Sequence, residues 1–70
     1  MKLTDKEEMF LNGYVNCNMN LNKTADALFY HRNTVVYYLN RIQEKYGLNP
    51  HNFYDLCKLL GYEKVKEGDG

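Results

Sequence analysis

Apolar residues recur at helical spacing in four blocks along this chain, and polar clusters separate the blocks. Thr4-Asp5-Lys6-Glu7 opens the first block as a capping box, in which the Thr hydroxyl accepts from the backbone N–H three residues on and the Glu carboxylate reaches back. Phe10, Tyr14 and Cys17 follow, with Leu11 and Val15 beside them, which predicts a helix from about Asp5 to Cys17. Asn16-Cys17-Asn18-Met19-Asn20 then breaks it, because Asn prefers caps and turns to helix interiors. Leu21, Ala25 and Leu28, spaced i, i+4 and i+7, predict a second helix from Leu21 or Asn22 to about Phe29. Phe29, Tyr30 and His31 form a short turn into a third helix, about Arg32 to Tyr46, with Val35, Leu39, Ile42 and Tyr46 on one face and Tyr38 at its border. Gly47 suits the left-handed position that closes a helix. Asn49-Pro50 predicts a fourth helix with Asn as its N-cap and Pro at its first position. Phe53, Leu56, Leu59 and Leu60 share the inner face of that helix, which ends near Gly61 or a turn beyond.

The pattern predicts an all-α, four-helix domain containing a helix-turn-helix and no β-wing, since no segment reads as a strand pair. Its expected limits are residues 1–62, with a charged, Gly-rich C-terminal tail at 63–70 that is expected to fray. The expected core is Phe10, Leu11, Tyr14, Leu21, Ala25, Leu28, Val35, Leu39, Ile42, Tyr46, Phe53, Leu56, Leu59 and Leu60.

Size narrows the function. A domain of 70 residues buries only about 60% of its unfolded surface, and a catalytic pocket would compete with the core for apolar side chains. The chain offers no Ser/His/Asp set, no Gly-rich phosphate loop and no metal cluster at usable spacing, so it is not expected to be an enzyme. Cys17, Cys57, His31 and His51 lack metal-ligand spacing, and the two cysteines read as free thiols in a reducing cytoplasm. No cofactor and no small-molecule substrate are implied. No apolar run approaches the ~18 residues of a membrane span, and Met1-Lys2-Leu3-Thr4 leads into a charged segment unlike a signal peptide. The expected location is therefore the cytoplasm, with no membrane partner.

Charge changes the picture only locally. The nine basic and nine acidic residues cancel. Between Leu21 and Tyr46, however, Lys23, Arg32, Arg41 and Lys45 face only Asp26 and Glu44. The positive excess thus sits on the two short helices and their turn, the unit that in a helix-turn-helix lays its second helix in the major groove. The small side chain of Ala25 permits a close crossing, and Val35 and Leu39 anchor the third helix from behind. Arg32, Asn33, Val36, Tyr37, Asn40 and Arg41 are left on its outer side. Arg pairs bidentately with guanine and Asn with adenine, whereas Lys23, Thr34 and Arg41 suit phosphate contacts that fix register. His31, at the entrance to the helix, completes the candidate DNA-binding set. Each feature also has a plain reading: Arg32, Asn33, Lys23 and Lys45 as solvated residues, Val36 as core if the stripe turns by one position, and the tyrosines as core edge.

The stretch Asn20-Leu21, Thr24-Ala25-Asp26-Ala27-Leu28, His31-Arg32-Asn33-Thr34-Val35, Tyr37, Leu39, Arg41-Ile42 and Gly47-Leu48 resembles the C-terminal helix-turn-helix domain of PucR/CdaR-type transcription regulators. The chain is more loosely similar to the DNA-binding end of the Fis family. The resemblance spans about Leu11 to Leu60. It implies sequence-specific binding of double-stranded DNA by a bacterial regulator, with the third helix as reader and Arg32, Asn33, Thr34, Tyr37 and Arg41 in the DNA-facing block. It also implies a homodimer on a two-fold or repeated site, and a longer protein whose upstream part senses a metabolite. The family often carries extra arginines where Val36, Tyr38 and Asn40 stand here, which implies a shallower salt dependence. The competing class is a helical protein-interaction or dimerisation module that uses Tyr30, Val36 and Tyr37. RNA binding has no predicted sheet on which bases could stack.

Overall fold

The computed structural model describes residues 2–61, and the expected tail at 63–70 lies outside them. The described residues form four α-helices and no strand: α1 (Asp5–Asn16), α2 (Leu21–Leu28), α3 (Arg32–Tyr46) and α4 (Phe53–Leu60). The capping box that opens α1 is complete, with Glu7 N–H donating to Thr4 Oγ1 at 3.1 Å and Thr4 N–H to Glu7 Oε1 at 2.9 Å. Asn20 Oδ1 caps α2 by accepting from Lys23 N–H at 2.9 Å. The Asn-rich break works because Asn18 and Met19 both turn left-handed, at φ 58° and 60°. This lets Met19 N–H donate to Tyr14 C=O at 2.7 Å and close the carbonyl end of α1.

The turn between α2 and α3 uses the same device with an unusual residue. Phe29 takes the left-handed conformation (φ 63°, ψ 40°) normally given to Gly, and its side chain is 94% exposed. Tyr30 N–H then donates to Ala25 C=O at 2.9 Å, which satisfies an end carbonyl of α2 and turns the Tyr30 ring inward against the core. Gly47 (φ 72°) closes α3 as the spacing predicts, and Gly61 (φ 81°) closes α4.

The start of α4 differs from expectation. Asn49-Pro50 does not begin the helix but begins a turn, in which Asn49 C=O accepts from Asn52 N–H at 3.0 Å with Pro at the second position. Asn49 Oδ1 is used by His51 N–H at 2.9 Å, and Asn52 is the true cap, accepting from Asp55 N–H at 3.1 Å. The turn buries Pro50 and delays the helix by three residues. Phe53 therefore occupies the first helical position, about 90° round from the midpoint of Leu56 and Leu59. It is 57% exposed and not a core residue.

The core is Phe10, Leu11, Tyr14, Ala25, Val35, Leu39, Ile42, Leu56 and Leu59. Leu21, Leu28, Tyr46 and Leu60, also expected inside, are half-buried and pack against it. One polar residue joins the core: Thr24 is fully buried because its hydroxyl donates to Asn20 C=O at 2.7 Å. At the α1–α2 contact, a methyl group on Gly13 would stand 2.9 Å from Leu28 Cδ1, so the missing side chain sets how closely the two helices pack.

Candidate nucleic-acid interface

Val35, Leu39 and Ile42 turn inward and fix which side of α3 faces out. At 3.6 residues per turn, the opposite side carries Asn33, Tyr37, Asn40, Arg41 and Glu44, all exposed. Arg32 is exposed at the first position of α3, and His31 is exposed just before it. Val36 and Thr34 border the outer face and are half-buried, so the apolar contact expected of Val36 is only partly available to a ligand. Lys23 is exposed on α2.

Among the described residues, the side chains of Lys23, Arg32, Asn33 and Asn40 form no hydrogen bond or ion pair within the chain. Polar heads without internal partners are free to meet a ligand. Arg41 and Tyr37 instead form a unit: Arg41 Nη1 donates to Tyr37 Oη at 3.4 Å, and the guanidinium lies 5.8 Å from the Tyr37 ring. Tyr37, one turn back, thereby limits where Arg41 can point. Glu44 is the one acid on the outer face, and it disfavours close approach of phosphate to the C-terminal half of α3. The N-terminal half, residues 32–39, carries no acidic side chain.

Cap chemistry points the same way. The helices α1, α2 and α4 begin with a side chain bonded to the first turn, whereas His31 leads α3 without a side-chain cap bond. The His31 carbonyl accepts from Thr34 and Val35 N–H at 3.0 and 3.2 Å, but the amides of Arg32 and Asn33 remain open. Open amides at a helix start, with the positive end of the helix dipole behind them, suit an anion.

On the flank toward α1, three residues do more than their spacing suggests. Glu7 Oε1 accepts from Tyr46 O–H at 2.6 Å, and Glu7 Oε2 pairs with Lys45 Nζ at 3.1 Å. Partial burial raises the Glu7 carboxyl, but the Tyr46 hydroxyl, the Thr4 amide and Lys45 outweigh it and hold it at about 2. Glu7 first, and Tyr46 after it, raise Lys45. Lys6 Nζ sits 4.9 Å over the Tyr38 ring. The spacing that sets Lys45 down as solvated carries no trace of Glu7, because the two are 38 residues apart in the chain. Only Tyr38, at the stripe border, hints that this flank is occupied.

No cluster of His, Cys, Asp or Glu suited to a metal occurs among the described residues, and no helix among them is long and apolar enough to cross a membrane. No curated protein and no solved structure matches the chain. Residues 9–60 match the PucR C-terminal helix-turn-helix domain, a span that runs from within α1 to the end of α4. With α2, the Phe29 turn and α3 following one another inside the matched span, the chain belongs to the PucR C-terminal helix-turn-helix family, which implies a DNA-binding domain of a transcription regulator.

Proposed function

We propose that this domain binds double-stranded DNA sequence-specifically for a bacterial transcription regulator, with α3 in the major groove. The observation that carries the reading is the exposed start of α3, where Arg32, Asn33 and two open amides stand without internal partners. Arg32 suits guanine and Asn33 suits adenine, each good pair discriminating by ~1–3 kcal/mol. Val36 and Tyr37 supply apolar and hydroxyl contacts, and Asn40 extends the polar row. Lys23, His31, Thr34 and Arg41 bear on the phosphates and set register. The domain acts as a homodimer, in the cytoplasm, and performs no catalysis of its own.

Selection of labelled duplexes from a random pool at low salt tests the reading. An enriched motif is expected. Arg32→Ala relaxes preference at one base, whereas Lys23→Ala weakens all sequences alike and lowers the salt slope by about one. A pool that yields no enriched sequence overturns the proposal.

Exposed aromatic residues favour a second reading, protein docking or dimerisation without DNA. Phe29, Phe53, Tyr54 and Tyr37 all stand more than half in solvent. That reading expects self-association that is indifferent to salt and to Arg32→Ala.

A further inference from the structure

Between the start of α1 and the middle of α3 lies a cleft of about 200 Å³, lined by Lys6, Glu7, Tyr38, Arg41 and Lys45, among others. Three cations and one carboxylate meet there. Lys45 is paired with Glu7 at 3.1 Å, so Lys6 and Arg41 set the charge of the cleft. Neither has a carboxylate partner among the described residues. Each is held instead by an aromatic ring, Lys6 over Tyr38 at 4.9 Å and Arg41 over Tyr37 at 5.8 Å. A ring attracts a cation through its quadrupole but carries no net charge. The two heads are thus positioned without being neutralised, a state that suits an oxyanion. Arg41 spends one donor on Tyr37 and keeps the rest of its five for a ligand.

We infer that this cleft binds a phosphate oxyanion, and that the phosphate is one of the DNA backbone beside the groove that α3 enters. The choice of source rests on the DNA-binding reading above and on Arg41, which belongs both to the outer face of α3 and to the cleft. A duplex lying on Arg32, Asn33 and Tyr37 has a backbone at each edge of its groove, and the α1 flank of α3 faces one of those edges. Lys6 therefore joins the interface from a helix outside the helix-turn-helix. Glu7 opposes the phosphate and moderates its affinity.

The test is a fluorescence titration of the whole chain against a labelled mixed-sequence duplex at several salt concentrations, with Lys6→Gln, Lys6→Arg and Glu7→Gln alongside. Loss of one phosphate contact lowers the slope of log affinity against log salt by about 0.9, and affinity at ~0.1 M salt by roughly 5–10-fold. Lys6→Gln should show both losses, and Lys6→Arg neither. Glu7→Gln should bind more tightly than wild type although its fold is weaker, since it removes a carboxylate from the cleft and releases Lys45. A parallel NMR titration with inorganic phosphate separates the two sources. If duplex binds and Lys6→Gln keeps the wild-type slope, the inference is overturned while the DNA reading stands. If no duplex binds but phosphate shifts the signals of Lys6, Arg41 and Lys45, the site stands with a free phosphate as its ligand and the DNA reading falls. If neither duplex nor phosphate binds, both fall.

Discussion

Phe29 offers a test of how this chain pays for its central turn. Its backbone is left-handed, and its ring, 94% exposed, gains almost nothing by packing. A side chain in this conformation costs about 1–2 kcal/mol relative to the right-handed one. Glycine removes that cost but loses about 0.5–1 kcal/mol of backbone freedom on folding. Phe29→Gly should therefore stabilise the domain by about 0.5–1 kcal/mol. For a domain of this size, 1 kcal/mol moves the melting midpoint by about 4–8 °C, so a rise of about 2–8 °C is expected. Gly47→Ala is the converse: its φ is +72° and the added methyl meets nothing within 4 Å, so its effect is purely of the backbone. It should lower the midpoint by a similar amount. Thermal unfolding followed by far-ultraviolet circular dichroism reads both. If Phe29→Gly melts at or below wild type while Gly47→Ala falls as expected, the Phe29 ring makes a stabilising contact and the strain argument fails at this turn. If neither moves, it fails at both.

Three further outcomes follow from the contacts described. Glu7 titrates at about 2 when folded against an ordinary 4.5, so its contribution is complete above about pH 4.5 and is lost as pH falls toward 2. Since Lys45 is half exposed, screening reduces this to ~1–2 kcal/mol, and urea midpoints measured down the pH scale should fall less steeply in Glu7→Gln than in wild type. Leu39 is fully buried, and Leu39→Ala should cost about 2–5 kcal/mol, a large part of the ~4–10 kcal/mol a chain this short holds; a urea-derived loss below ~1 kcal/mol would show that the core collapses around the gap. His31→Asp should supply the missing cap of α3 and stabilise the fold by about 0.5–2 kcal/mol, yet weaken duplex binding by placing a carboxylate at the open amides; equal or tighter binding would remove the start of α3 from the interface.

Local rules made most of the helical layout readable from the residues alone. The Thr4–Glu7 box, the Arg32 and Tyr46 limits of α3 and the Gly47 stop are settled within a few residues of chain. Asn49-Pro50 misleads because the same pair suits a helix start and a β-turn, and the buried seat of Pro50, a tertiary matter, decides between them. Phe53 is misplaced for a different reason: it stands at the first helical position and about 90° round from the midpoint of Leu56 and Leu59, at the edge of the stripe, where it is left exposed. Thr24 shows the limit of reading polarity as exposure: its hydroxyl is satisfied one turn back, so only its bulk matters to the core. At the candidate site, spacing alone identifies the outer face of α3 but not the α1 flank. Contacts such as Glu7 to Tyr46 and Lys45 join residues 38 or 39 positions apart and leave no periodic signature.

The hold of α1 on α3 has a kinetic consequence. Phe10 stacks on Tyr38 at 4.6 Å, Lys6 covers the same ring, and Glu7 takes the Tyr46 hydroxyl and Lys45 at the far end of α3. The helix is braced at its middle and its C-terminal end before any partner arrives. An encounter through α3 then has no folding step to wait for, so its rate is governed by diffusion and charge steering, and its heat-capacity change reports only the surface buried at the contact.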